Sequence, residues 1–378
     1  MYQNEYSIGY FFIAMWLFAL SSKSVIIYIV GVSNMSVGYV YDPIYLEHDT
    51  GGHVENHSRL TETISVLKEA KLLDQLTNIS VRAATEKELL TIHTKPHIQN
   101  VENSARAGGG WLDGDTITSP QSYKVALYAA GGLISALDAI MAKEVDSAFA
   151  LVRPPGHHAT QRRAMGFCLF NNVAVAAKQA IDKYNLDRVL IVDFDVHHGN
   201  GTQDSFYDNP NVLYFSTHLS PYYPGTGSID QTGSGAGIGY TLNVPMPAWC
   251  GDGEYMRVFE EVLVPTARRY RPELIMVSAG YDPHWADRLA FMQVSVAGFA
   301  QIAGFLKDLS NELCGGKLLF TLEGGYNVEA LAHSVRATFE VLLGKTDISD
   351  PIGPAPERDS SPNIGGVIDT VVETHRLG

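Results

Sequence analysis

The chain has 378 residues, 46% hydrophobic and 18% charged, a composition that supports a large core and excludes a disordered or fibrous protein. Its 27 Lys plus Arg stand against 41 Asp plus Glu, a net charge of −14. That balance argues against direct nucleic acid binding, which needs a basic surface, and suits either a cationic substrate or plain solubility.

Residues 1–34 carry two apolar runs, 8–20 and 25–32, separated by a lysine and three serines. Neither reaches the roughly 20 residues that span a bilayer. Glu5 is the only charge before the first run, whereas a signal peptide has a basic leader there. Three readings fit: a membrane-associating extension, extra structure packed on the domain, or a start codon placed too early. We read 1–34 as an extension with no part in the chemistry and 35–345 as one domain.

Within the domain, β-rich runs at 37–42, 147–152, 188–196, 212–217, 274–279 and 317–322 alternate with helical patterns at 57–73, 122–141, 171–184, 255–269, 296–313 and 331–343. Alternation of this kind predicts an α/β fold with a mostly parallel sheet. The runs are almost continuously apolar, as strands are when helices cover both faces. The glycine-rich stretch 226–239 reads as a loop. Four prolines in 347–363 mark the start of an irregular tail, 346–378. Cys168, Cys250 and Cys314 are far apart and form no CxxC pair, which fits a reducing compartment, the cytoplasm.

Polar residues concentrate where strands end: RPPGHH (153–158), DFDVHHGNG (193–201), STHLSPYYPGTG (216–227), AGYDPH (279–284) and LEGGYN (322–327). Sites of open α/β sheets form outside those ends. On an extended chain Asp193, Asp195 and His197 project the same way, so carboxylate and imidazole can meet on one cation. With Asp282 from another strand end, Asp195 and His197 make a three-ligand set with one position open, the arrangement of a catalytic zinc. A DxH pair alone could equally cap a helix; its setting favours the metal. His157 and His158, presented by a Pro-Pro-Gly turn, suit proton transfer to and from a water and a departing amine. Tyr326 could donate to an oxyanion.

Taken together, HDTGGHVENHSRL, RPPGHHAT, GFCLFNNVAVAA, VDFDVHHGNGTQ, YYPGTGS, SAGYDPH and LEGGYN resemble the histone deacetylase superfamily, in family order across nearly the whole domain. The resemblance implies an arginase-like, three-layer α/β fold, with Zn2+ on Asp195, His197 and Asp282. It implies an acid/base pair in His157 and His158, and a carbonyl-polarising Tyr326. It makes Asp193 a partner of His157 and, through its backbone, a ligand of a structural K+ ion near Ser216 and Thr217. Gly166, Phe167 and Tyr223 would line the channel for the acyl-lysine stem. There are departures. His53-Val54-Glu55 replaces His-Pro-Glu, and Asn200 stands beside His158 where one branch has aspartate, which places the chain nearer the class II-like, bacterial-type branch. Asp113 and Asp115 are the candidates for gripping the substrate backbone.

The expected activity is hydrolysis of the amide of N-acetyl-lysine in a protein or peptide by metal-activated water. The alternative is an acetylpolyamine or other small acyl-amine substrate. The polyamine branch places a glutamate gatekeeper where Leu289 stands here, which favours acyl-lysine. A non-enzymatic binding protein is disfavoured because no ligand, base or oxyanion donor is substituted. A two-metal manganese hydrolase is disfavoured because paired DxHxD patterns are missing.

Overall fold

Runs of valine, leucine, isoleucine and phenylalanine with no polar face pair in parallel when helices cover them on both sides. In the computed structural model, which describes residues 36–358 and 362–377, they build an eight-stranded sheet. The expectation for residues 1–34, membrane association of 8–32 included, lies outside the described residues. The strands are β1 (Val37–Val40), β2 (Thr77–Asn78), β3 (Ser147–Ala150), β4 (Val189–Asp193), β5 (Val212–Leu219), β6 (Thr241–Met246), β7 (Leu274–Ala279) and β8 (Leu318–Leu322). Their order is β2-β1-β3-β8-β7-β4-β5-β6, and every pairing is parallel. All residues of β3, β4, β5, β7 and β8 are buried. The helix Ser122–Met141 packs against Asn172–Tyr184, and Val328–Leu342 packs against both Ser58–Glu69 and Val296–Cys314. Parallel strands end on the same side, so the loops after β3, β4, β5, β7 and β8 meet at one edge of the sheet.

The elements depart from the sequence reading in instructive ways. β4 stops at Asp193, not at 196, so Asp195 and His197 lie in a loop. β6 was not expected, because Asn243 and Pro245 interrupt its apolar run. It is an edge strand, where a missing proline N–H is tolerated. The helix Lys95–Arg106 also went unread, its apolar stripe being thin. The helix expected over 255–269 is a composite of Asp252–Val258, a π-turn at Phe259–Leu263 and Val264–Tyr270.

The described residues of the expected tail, 346–358 and 362–377, are part of the same compact unit as the domain. Their last element, the helix Gly365–His375, packs on β6 and buries Ile368 and Val371. An edge strand with apolar side chains needs such a cover.

Candidate active site

The loop after β4 is shaped by its own carboxylates. Asp193 Oδ1 accepts the Asp195 N–H at 3.2 Å, and Asp195 Oδ1 accepts the His197 N–H at 2.9 Å. Two successive turns of this type, in which an aspartate accepts the N–H two residues on, swing alternate side chains inward after the strand has ended. Asp282, just beyond β7, accepts the Val196 N–H on Oδ1 at 3.0 Å. The Gly324 N–H, beyond β8, donates to Asp195 Oδ2 at 2.8 Å. A Cβ at Gly280 or Gly324 would collide with these carboxylates, so only glycine lets the three loops close this tightly.

The outcome is a convergence of the three expected ligands. His197 Nδ1 is 3.1 Å from Asp195 Oδ1 and 3.1 Å from Asp282 Oδ2. One ligand atom from each lies within 4.8 Å of the others. Asp195 and Asp282 are fully buried, yet Asp282 Oδ2 receives no hydrogen bond. Burial and the Asp195 charge push the Asp282 carboxyl up to about 7. Burial would lower His197, but the hydrogen bond to Asp195 and the negative charges of Asp195 and Asp282 raise it to about 10. Two carboxylates around one imidazole, with a buried oxygen lacking a donor, leave the cluster short of positive charge. A divalent cation fits that deficit, and O, O, N is a donor set zinc accepts.

His157 and His158 sit beside this cluster, their rings 4.0 Å apart. His157 Nδ1 is 3.1 Å from Asp193 Oδ2, and its Nε2 is 3.8 Å from Asp195. Burial opposes the charged form, but Asp195 and Asp193 raise this imidazole to about 10. His158 goes the other way: burial, His157 and His197 depress it well below its ordinary value. Its Nδ1 lies 2.8 Å from Asn200 Oδ1, an acceptor, so Nδ1 carries the proton and Nε2 keeps its lone pair. Asp193 therefore partners His157 as the resemblance implied. It lies opposite Ser216 in the β4–β5 register, and the neighbouring Thr217 Oγ1 is buried without a partner.

Three charged residues that the sequence reading did not single out hold this machinery together. Glu323 is buried and accepts from the Gly156 N–H, the His157 N–H and Ser278 Oγ at 2.6, 3.1 and 3.1 Å; burial pushes it up to about 7. Arg59 donates to the carbonyls of Gly325 and Glu323 and lies 5.1 Å from the Tyr326 ring. Arg153 makes a bidentate pair with Glu55. Glu323 and Arg153 stand in the glycine- and proline-rich strand ends LEGGYN and RPPGHH, where a charged residue is a legible signal, whereas Arg59 lies in the helix Ser58–Glu69 and carries none. Cys168 lies near His157 and Glu323, but burial pushes its thiol well up, so it stays protonated.

Tyr326 is set by Asp287, whose Oδ2 accepts the N–H groups of Tyr326 and Asn327 at 2.6 and 2.8 Å. Burial and Asp282 raise its phenol well above 10, which keeps the hydroxyl a donor. Phe167 packs edge-on to Tyr326 at 5.6 Å, and Tyr223 edge-on to His158 at 5.2 Å. Gly166 and Phe167 both have positive φ, +57° and +68°, and a side chain on Gly166 would strike the His158 ring. The loop carrying Leu289 is clamped by Tyr222, whose hydroxyl donates to the Leu289 carbonyl at 2.5 Å while its ring stacks on His197. Asp113 and Asp115 lie in the turn between Gly110–Trp111 and Ile117–Thr118; burial raises the Tyr223 phenol, and the two aspartate charges add to it.

Buried carboxylates able to hold a cation, with paired histidines of opposite protonation beside them, are the equipment of a hydrolase. Comparison with known proteins makes this specific. A Histone deacetylase domain matches residues 53–342. Histone deacetylase 14, chloroplastic, of Arabidopsis thaliana is 38% identical over 80% of this chain and 76% of its own length. A probable deacetylase of Archaeoglobus fulgidus is 37% identical (82% and 87% covered), and a histone deacetylase-like amidohydrolase of Pseudomonas aeruginosa 36% (80% and 80%). The crystal structure of the HDA15 HD domain superposes with a TM-score of 0.82 at 36% identity, covering 91% of this chain and 95% of that one. The chain belongs to the histone deacetylase family, and its sheet with flanking helices is the fold of that family.

Proposed function

We propose that the chain is a zinc-dependent deacetylase that hydrolyses the amide of N-acetyl-lysine in a protein or peptide. Asp195, His197 and Asp282 would hold the ion, which supplies Lewis acidity to polarise the acetyl carbonyl and acidify water. The observation that carries the reading is the donor-less, buried Asp282 Oδ2 facing His197 and Asp195, with a neutral His158 alongside. His158 Nε2 takes a proton from water and returns it to the departing lysine amine. His157, held cationic in part by Asp193, which is not a ligand side chain, places positive charge beside the developing oxyanion. Tyr326 donates its hydroxyl to that oxygen. Phe167 and Tyr223 flank the methylene stem, which gains burial without needing a polar partner. A structural potassium ion beside Asp193, Ser216 and Thr217 belongs to the same reading, supported by the register of Asp193 with Ser216 and the partnerless Thr217 hydroxyl.

The deciding experiment is a deacylation screen of acetyl-lysine peptides against acetylated polyamines and short-chain acyl amides, with metal analysis of the same sample. About one divalent ion per chain is expected. Asp195→Ala should lose both ion and activity; a variant that keeps stoichiometric zinc and turnover overturns the assignment. The net charge of −14 favours a second reading, an acetylpolyamine substrate, because a negative field attracts polyamines.

A further inference from the structure

At the rim of the site an aromatic pair faces solvent. Trp249 is 36% exposed and Phe291 50%, with ring centroids 5.5 Å apart. Phe291 touches Tyr222, and Tyr222 stacks on His197, so Phe291 is two ring contacts and Trp249 three from a proposed metal ligand. The pair is built in. The Trp249 N–H donates to the Phe291 carbonyl at 2.5 Å, and the Gln293 N–H to the Cys250 carbonyl at 2.8 Å, zipping the loop after β6 to the loop after β7. Trp249 itself adopts φ +75°, a conformation that bulky residues rarely take and that needs such support. Over its indole face, 3.8 Å from the centroid, lies the guanidinium of Arg358. Arg358 arrives on the segment following the last core helix, and that segment is held by the Trp285 indole N–H, which donates to the Gly353 carbonyl at 3.0 Å.

A cation centred over an exposed indole shows what this surface accepts, since the ring quadrupole attracts positive charge. We propose that Trp249 and Phe291 form a receiving platform for a cationic group that the substrate carries beyond its acetamide, and that Arg358 occupies the platform in cis and competes for it. The proposal rests on the deacylase reading for the identity of the substrate. The cation is either a lysine or arginine side chain near the acetyl-lysine or the free amine of an acetylpolyamine. Both offer the same chemistry, and the −14 net charge favours the approach of either.

The test uses two dye-labelled peptides of one sequence with a single acetyl-lysine, differing only in an arginine or a citrulline beside it. Their affinities for the full chain are read by fluorescence anisotropy. The arginine peptide should bind wild-type protein more tightly. Trp249→Ala should lower the arginine-to-citrulline ratio towards one, leaving only the general effect of the net charge, and Arg358→Ala, which frees the platform, should raise it about fivefold. The same ratio in all three proteins overturns the proposal. Should Trp249→Ala fail to fold, an unchanged ratio in Arg358→Ala is sufficient to overturn it. Unlabelled acetylspermidine, run as a competitor, separates the two sources. A Trp249-dependent advantage confined to the arginine peptide assigns the platform to a peptide side chain, and one found with acetylspermidine assigns it to a polyamine amine. Binding is read without turnover, so failure to hydrolyse either peptide would sink the acetyl-lysine reading while the affinity ratio still decides the platform.

Discussion

Protonation state, not proximity alone, divides the labour among the site's side chains. His157 and His158 are adjacent in sequence and 4.0 Å apart as rings, yet one is held cationic by Asp195 and Asp193 while the other is driven neutral by burial and by its cationic neighbours. The Asn200 amide oxygen on Nδ1 favours the imidazolium of His158, but less than a carboxylate would, and it does not outweigh burial and the neighbouring charges. Tyr326 gives the cleanest test at this scale. Tyr326→Phe removes one hydroxyl, and its backbone anchor on Asp287 is untouched. Turnover should fall by about two to three powers of ten with metal content unchanged. Near-normal turnover would remove Tyr326 from the mechanism.

Among the elements, the helix Gly365–His375 has the most to say about stability. It covers β6, an edge strand of eight-stranded order, with Ile368 and Val371 both buried. Arg269, from Val264–Tyr270, ties in by donating to the His375 carbonyl at 2.9 Å. Burying two aliphatic side chains contributes on the order of 3–6 kcal/mol. Ending the chain before residue 364 should therefore lower the melting temperature by several degrees and expose the β6 edge to self-association. Thermal unfolding of the truncated protein checks this, and an unchanged melting temperature would mean that the helix adds nothing to the fold.

Two properties belong to the whole molecule. The first is acid sensitivity. Burial pushes His48 down to about 4, His93 to about 3 and His375 to about 4. His93 is fixed neutral by geometry too, because its Nε2 accepts the Asn171 N–H at 2.8 Å while Nδ1 meets the Thr160 carbonyl at 2.9 Å. As pH falls below about 6.5 the unfolded chain binds protons at these histidines and the folded chain does not, so stability falls between roughly pH 6.5 and 4. Melting temperatures across that window should decline, and His93→Gln should show a shallower slope whatever its absolute stability. An equal slope would exclude His93 from the linkage. The second property is substrate choice. Leu289 cannot pair with an amine, so acetyl-lysine peptides should be preferred over acetylspermidine, and Leu289→Glu should move the ratio towards the polyamine by about tenfold. The −14 net charge works against that preference, and high salt screens a diffuse field more than a close contact. A wild-type preference for acetylspermidine at high salt would transfer the function to the polyamine reading.

Periodicity and strand-end polarity were enough to read a parallel α/β sheet and to nominate Asp195, His197 and Asp282, because apolar runs and loop chemistry are local properties of the chain. The reason offered for their convergence, alternation along a strand, does not hold: β4 ends at Asp193, and carboxylate-to-backbone hydrogen bonds in the loop turn the side chains inward. β6 and its covering helix were illegible, because an edge strand with Asn243 and Pro245 and a helix beyond a proline-rich stretch acquire their meaning only from each other. Arg59 and Asp287 likewise look like ordinary surface charges in sequence, and the burial of Glu323 is not legible there either. What buries them is the meeting of loops from β7, β8 and the first helix, and a charge can be held there only because partners far away in the chain supply its hydrogen bonds.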